Sequence, residues 1–316
     1  MRIIFFGSGS FAIPSFEALL DAGHRLAALL TQPDRESGRG RALTPPPLKP
    51  LALRRGVQVI QPVRVREPDV VEQLRRLAPE LQVVVAYGQI LPRVVLALPP
   101  RGTLNVHASL LPAYRGAAPI QWAILNGERE TGVTTMLLDE GLDTGPTLLA
   151  RRTPIGAEET AAELTPRLAQ LGAQTLLDTL RGIDDGSLTP QPQDASRATL
   201  APMIRKRDGC LDWQLPAPAL ARRVRAFAPW PGAWTVLAGH RLKILKARVR
   251  EDSREAAPGS VTALTREAID VACGGGSTLA LLNVQPDSRR PMPAAAFAAG
   301  ARLRPGDRCA APGDAT

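Results

Sequence analysis

The chain has 316 residues, 44% of them hydrophobic and 22% charged, which excludes a disordered polymer or a coiled coil and leaves room for two domains of roughly 150 residues. Thirty-nine Lys and Arg against 30 Asp and Glu give a net charge of +9. No apolar run approaches the ~20 residues that span a bilayer, and the run at residues 3–6 is too short for a signal-peptide core.

From the N-terminus, strands and helices alternate. Arg2–Phe6 is a continuous apolar run ending at Gly7, the pattern of a strand buried on both faces. Pro14–Ala22 is predicted as a helix that opens on proline and stops at Gly23. Leu26–Thr31, Val57–Ile60, Val83–Ala86, Thr103–His107 and Val133–Leu138 repeat the strand pattern, with helices at Asp69–Leu77 and Pro119–Leu125. Strands spaced by helices predict an α/β domain with a parallel sheet covered on both faces. Residues 32–50 (QPDRESGRGRALTPPPLKP) break this rhythm as a long Gly-, Pro- and Arg-rich loop, of the kind that carries function.

Residues 184–202 lack periodicity and read as a linker, so the expected organisation is 1–187, a linker at 188–204, and a second domain at 205–316. In the second domain a helix at Ala217–Ala226 precedes short strands at Ala233–Leu237, Arg241–Val249, Val261–Leu264, Ile269–Ala272 and Thr278–Val284, the spacing of a small β-barrel or sandwich. Trp213, Trp230 and Trp234 are expected in its core, and the tail after Arg308 is expected to be disordered. Cys210, Cys273 and Cys309 are odd in number and lack CxxC spacing, which fits a reducing compartment and argues against a disulfide framework or a zinc site.

The charge is unevenly placed. Residues 1–187 hold 20 basic and 19 acidic side chains, whereas residues 188–316 hold 19 basic and 11 acidic, so the second part carries +8 of the +9. In the first part, residues 35–55 carry Arg35, Arg39, Arg41, Lys49, Arg54 and Arg55 against Glu36 alone. Such a distribution is the electrostatic footprint of a polyanion partner, or otherwise a solvated basic surface.

Three local patterns invite a chemical reading. Gly7-Ser8-Gly9 follows the first strand, but Ala12 replaces the third glycine of the dinucleotide fingerprint and no acidic residue follows the second strand until Asp34, so the glycines serve the turn. Asp143-Thr144-Gly145 is a lone aspartic-protease triplet, and that chemistry needs two carboxylates sharing a proton. Asn105-Val106-His107 is more informative: positions i and i+2 of a strand share a face, at the carboxyl end where open parallel sheets bind ligands. With Asp143 on a later loop, His107 gains an orienting carboxylate and becomes a candidate acid–base group.

These segments resemble the methionyl-tRNA formyltransferases, a branch of the folate-dependent formyltransferases, through FFGSGSFA, TQPDRESGRGR, VVAYGQILP, LNVHASLLPAYRGAAPIQWAI, GLDTG and RAFAPWPGAW. One departure is Gly9, where the family commonly has proline. The resemblance implies a Rossmann-like formyltransferase domain followed by an OB-like β-barrel that binds tRNA. It also implies formyl transfer from 10-formyltetrahydrofolate to the α-amine of initiator methionyl-tRNA. Asn105, His107 and Asp143 would be catalytic, with the Asn amide and an imidazole N–H donating to the charge that develops on the formyl oxygen. Ser109, Leu110, Leu111 and Pro112 match the family's folate-binding segment, and Tyr87, Gly88, Leu138 and Asp139 are expected at the pterin pocket. Arg39 and Arg41, with Lys206, Arg207, Arg222, Arg223, Lys243 and Lys246, are expected to contact tRNA. No metal or membrane is implied, and the expected form is a cytoplasmic monomer. The alternatives are a formyltransferase acting on an amino-sugar nucleotide, which needs neither the basic loop nor the basic second domain, and a non-catalytic RNA-binding protein on the same fold.

Overall fold

A computed structural model describes residues 1–37, 42–251 and 256–310. The chain divides into two compact units: residues 1–119, 130–154 and 165–202 form one, and residues 120–129, 155–164 and 203–316 the other.

The first unit begins with β1 (Arg2–Gly7), α1 (Ile13–Asp21) and β2 (Arg25–Leu30), followed by the paired β3 (Arg35–Ser37) and β4 (Ala42–Thr44), then α2 (Leu48–Arg54) and β5 (Val59–Ile60). It continues through α3 (Pro68–Arg76), β6 (Leu81–Val85), α4 (Arg93–Leu96) and β7 (Thr103–His107). After α5 (Pro119–Asn126), which belongs largely to the second unit, come β8 (Glu130–Leu137), β9 (Thr147–Pro154) and α6 (Ala161–Asp184). The seven-stranded sheet has the order β5-β2-β1-β6-β7-β8-β9. It is parallel from β5 to β7; β8 pairs antiparallel with β7, and β9 antiparallel with β8. The chain leaves β1 toward β2 and β5 and returns on its other side with β6, so the strand order reverses at β1. The carboxyl ends of β1 and β6 therefore flank the crevice where such sheets bind ligands.

The predicted strands are present because their apolar runs are buried: β6 and β7 are buried at every position. Gly7 serves the turn after β1, where an added Cβ would stand 2.7 Å from Phe5 Cε1 and 3.0 Å from Ala12 Cβ. The sequence reading places no element between Leu138 and the linker, yet β9 and the 24-residue α6 lie there. Their signals are weak: β9 is a partly exposed edge strand, and the helical spacing of buried Leu164, Leu168, Leu176 and Leu180 is interrupted by Pro166.

In the second unit, α7 (Ala217–Ala226) is followed by β10 (Ala233–Leu237), β11 (His240–Val249), β12 (Val261–Leu264), β13 (Ile269–Ala272), β14 (Thr278–Pro286), β15 (Met292–Pro293) and α8 (Ala294–Ala301). The strands pair antiparallel in the order β10-β11-β14-β13-β12, with β15 on β14. The two ends of this path are tied by the C-terminal segment: Cys309 N donates to Gly259 O and Ala310 N to Val236 O, each at 2.8 Å, while Asp307 O accepts from Val261 N at 2.7 Å.

That bonding corrects the expected disorder after Arg308 for Cys309 and Ala310. Cys309 is buried in the unit's core with Trp213, Leu220, Leu242 and Leu281. Trp213 and Trp234 are buried as expected, and Trp213 Nε1 donates to Thr235 Oγ1 at 3.0 Å. Trp230 is not a core residue: it is 57% exposed, on the turn between α7 and β10.

Candidate active site

β7 delivers two of the three residues read as catalytic. Val106 faces α6, where a Cβ added to Gly172 would stand 2.9 Å from its Cγ1. Asn105 and His107 therefore share the opposite face of the sheet, both buried. Val84 of β6 stands beside Asn105, and Thr134 of β8 beside His107.

The imidazole is fixed from one side. His107 Nε2 lies 2.9 Å from the carbonyl oxygen of Tyr114. A carbonyl only accepts, so Nε2 carries the proton, and in the neutral ring Nδ1 holds the lone pair. Nδ1 faces Asp143 Oδ2 at 3.7 Å, beyond hydrogen-bond length. The same Oδ2 accepts from Gly116 N at 2.8 Å. Tyr114 and Asp143 both have left-handed backbones (φ 63° and 52°), conformations costing of order 1–3 kcal/mol that persist only where the surroundings fix them. The Asn105 amide makes no hydrogen bond to another group of the chain among the described residues. Asn105, His107 and Asp143 thus meet at the carboxyl end of β7.

The residues expected at the folate site take different positions. Ser109 is fully buried, and its hydroxyl donates to Ala113 O at 2.6 Å, closing its own turn. Leu111 N donates to Thr134 Oγ1, whose hydroxyl in turn donates to Ser109 O. Ser109, Leu110, Leu111 and Pro112 therefore shape the wall that carries Tyr114. The Tyr87 ring is buried edge-on against Phe6 at 5.3 Å, and the next residue, Gly88 (φ 83°), is exposed. Leu138 packs against the buried cluster that contains Tyr87 and Leu91. Asp139 is exposed, and its Oδ1 accepts from Gly141 N and Thr144 Oγ1. On the two loops, Ile90 and Leu142 are exposed apolar side chains. Leu138 and Asp139 also line a depression of about 610 Å³ with Arg93 and Leu96.

Arg39 and Arg41 lie outside the described residues, but the feet of their loop are clear. Lys49 Nζ donates to both oxygens of Asp34 at 2.9 and 2.7 Å, and Gln61 Nε2 donates to Asp34 Oδ1 at 2.6 Å and to Gln32 O at 2.8 Å. These bonds, from Gln61 first and Lys49 next, hold the Asp34 carboxyl below the ordinary carboxylate range. Gln32 Nε2 and Ser8 Oγ both donate to Tyr87 O, so the loop is tied to the ends of β1, β2 and β6.

In the second unit Lys206, Arg207, Lys243 and Lys246 are exposed and suited to phosphate. Arg222 and Arg223 are employed internally: Arg222 Nε donates to Leu125 O at 2.9 Å, and Arg223 lies 5.9 Å from the Phe227 ring centroid.

Sequence reasoning missed Arg115, Gln193 and Thr199. Arg115 N donates to Thr199 O at 2.9 Å, and Arg115 Nε and Nη2 donate to Gln193 Oε1 at 3.1 and 2.8 Å. Nothing in the periodicity of residues 184–202 marks Gln193 or Thr199, because they act by hydrogen bonding from an irregular segment.

A family model described as Formyl transferase matches residues 1–180, and another described as Formyl transferase, C-terminal domain, matches residues 203–302. The chain is 51% identical to a methionyl-tRNA formyltransferase of Pelobacter propionicus, covering 96% of this chain and 94% of that one. It is 52% identical to the enzyme of that name from Solibacter usitatus, covering 96% of each. Among solved structures, it is similar to an N-formyltransferase from Helicobacter canadensis, bound to folinic acid and dTDP-3-aminofucose, with a TM-score of 0.68 at 17% identity over 89% of this chain and 99% of that one. It is also similar to HypX from Aquifex aeolicus bound to tetrahydrofolic acid, with a TM-score of 0.64 at 20% identity over 95% of this chain; there the chain spans about half the length, 47%. At these identities the two structures are alike in fold.

Proposed function

The chain belongs to the formyl transferase family, and on that premise we propose that it transfers the formyl group of 10-formyltetrahydrofolate to the α-amine of initiator methionyl-tRNA. The relatives named for this reaction align over nearly the whole of both chains, including the basic second part. The observation that carries the chemistry is the meeting of Asn105, His107 and Asp143, with His107 Nδ1 turned toward Asp143 at 3.7 Å.

The residues present fit a folate. Exposed Ile90 and Leu142 supply apolar contacts on the two loops around the Tyr87–Leu138 cluster, and the exposed backbone at Gly88 offers hydrogen-bonding groups for a heterocycle's edge. When bound, the folate supplies an activated formyl carbon. The Asn105 amide then donates to the formyl oxygen as charge develops on it. His107, with Nε2–H spent on Tyr114 O, would use Nδ1 to take the proton that the attacking amine loses and return it to the folate nitrogen as the bond from that nitrogen to the formyl carbon breaks. Asp143 holds the resulting imidazolium and, through Gly116 N, its own place. We read the protein as a cytoplasmic monomer that binds one tRNA.

The test is formyl transfer to charged initiator tRNA beside transfer to an amino-sugar nucleotide, with wild type and His107→Ala. Wild type is expected to formylate the tRNA, and His107→Ala to lose turnover while keeping tRNA affinity. Formylation of the sugar alone would overturn the substrate assignment, and full turnover by His107→Ala would overturn the chemistry.

A further inference from the structure

The segment that follows α6 crosses the active-site loops and is bonded to both of them. Gln193 Nε2 donates to Asp143 O at 2.9 Å and to Gly145 O at 2.7 Å, while Gln193 Oε1 accepts both bonds from the buried Arg115 guanidinium. One side chain therefore joins the loop that carries Asp143 to the loop whose Tyr114 carbonyl takes the His107 proton donor. Thr199 fastens the second loop further: its Oγ1 accepts from Tyr114 N at 2.9 Å and its carbonyl from Arg115 N at 2.9 Å. The crossing is close, since a Cβ on Gly116 would lie 2.7 Å from Ala201 O.

We propose that Gln193 is a positioning residue for formyl transfer, setting the Asp143 loop against His107 through its paired bonds to Asp143, Gly145 and Arg115. The proposal rests on the function assigned above. The chemistry requires an amide here. Two N–H donors serve the two carbonyls, and one oxygen serves the guanidinium. Glutamate at this position would still satisfy Arg115, and with a full charge, but would turn an acceptor toward the Asp143 and Gly145 carbonyls. The pairing with Arg115 can thus be kept while the hold on Asp143 is lost, which separates positioning from support of the fold.

Asp143 needs only a small displacement to lose its alignment, and misplacement by ~1 Å can cost on the order of 100-fold in rate. Gln193→Ala and Gln193→Glu are each expected to lower kcat for methionyl-tRNA formylation at least tenfold. KM for tRNA and for the folate should stay within about twofold, because both ligands are held by other residues, and Gln193→Glu should melt within a few degrees of wild type. Wild-type kcat in Gln193→Glu overturns the proposal, as does a change confined to KM. Should Gln193→Ala fail to fold, the glutamate variant decides alone. His107→Ala in the same assay separates the two readings. If it is inactive while both Gln193 variants turn over normally, the positioning role fails and the chemistry stands. If it is active, the chemistry itself fails and the proposal with it.

Discussion

Asp143 shows how much of the site depends on single side chains. Its Oδ2 is engaged by Gly116 N and faces a ring nitrogen whose partner atom is already committed to a carbonyl. Asp143→Asn keeps the shape and an oxygen for Gly116 but removes the charge that would face the imidazolium formed during transfer. The expected result is a fall in kcat of about 10²–10⁴-fold with little change in melting temperature, read by steady-state kinetics and thermal unfolding. Full activity in this variant would remove Asp143 from the chemistry. The cysteines are the opposite case, since nothing in the site uses them. Burial pushes the Cys273 and Cys309 thiols up to about 12 and raises Cys210 as well. At pH 8 the thiolate fraction of the first two is then on the order of 10⁻⁴, so a disulfide reagent should modify Cys273 and Cys309 only after denaturant is added. Rapid modification of either in the folded protein, detected by mass spectrometry, would contradict their burial.

At the scale of elements, the strands were legible in the sequence because a parallel strand buried on both faces leaves a continuous apolar run, as β1, β6 and β7 do. The Asn105–His107 pair was legible for a related reason, since alternation along β7 fixes a shared face whatever lies around it. Residues held by hydrogen bonds between distant loops left no such trace, and Gln193, Thr199 and the Asp34–Lys49 pair are of that kind. Read as an unstructured loop, residues 32–50 in fact contain the β3–β4 pair and the start of α2, closed at their base by Asp34 and Lys49. The carboxyl of Asp34 is held below its ordinary value of 3.8, so its contribution is complete above that value and is lost as pH falls through the lower folded-state value. Asp34→Asn is therefore expected to speed amide exchange at residues 42–50 at neutral pH and to abolish the further loosening that wild type shows in acid. Identical exchange in both proteins would mean that the pair does not anchor the loop. Gly145 tests the other loop. An added Cβ would lie 1.9 Å from Leu137 O, an atom fixed in the sheet, so Gly145→Ala should destabilise by about 1–3 kcal/mol in urea unfolding.

For the whole molecule, the excess charge and the exposed aromatic can be tested separately for a part in tRNA binding. The net +9 was readable as the mark of a polyanion partner, but which cations are available for it was not. The spacing of Arg222 and Arg223 looks like that of any basic surface, yet their guanidiniums are occupied within the second unit, whereas Lys243 and Lys246 are exposed on β11. Trp230 went the other way, from expected core residue to an indole 57% exposed, because the sequence records its hydrophobicity and not the turn that presents it. A lysine on phosphate releases counterions, so Lys243→Ala and Lys246→Ala should each weaken tRNA binding and reduce the slope of log K against log salt by about 1. Arg222→Ala should leave that slope unchanged and lower the stability of the second unit instead, through loss of its bond to Leu125 O. An aromatic that stacks on a base contributes about 1–3 kcal/mol without displacing ions. Trp230→Ala is therefore expected to weaken tRNA binding with the salt slope preserved, and Trp230→Phe to recover most of the loss. Filter binding across a salt series separates these outcomes. Unchanged affinity in Trp230→Ala would leave the exposed indole without a part in RNA recognition, and a changed slope would mean that its loss had disturbed the neighbouring lysines.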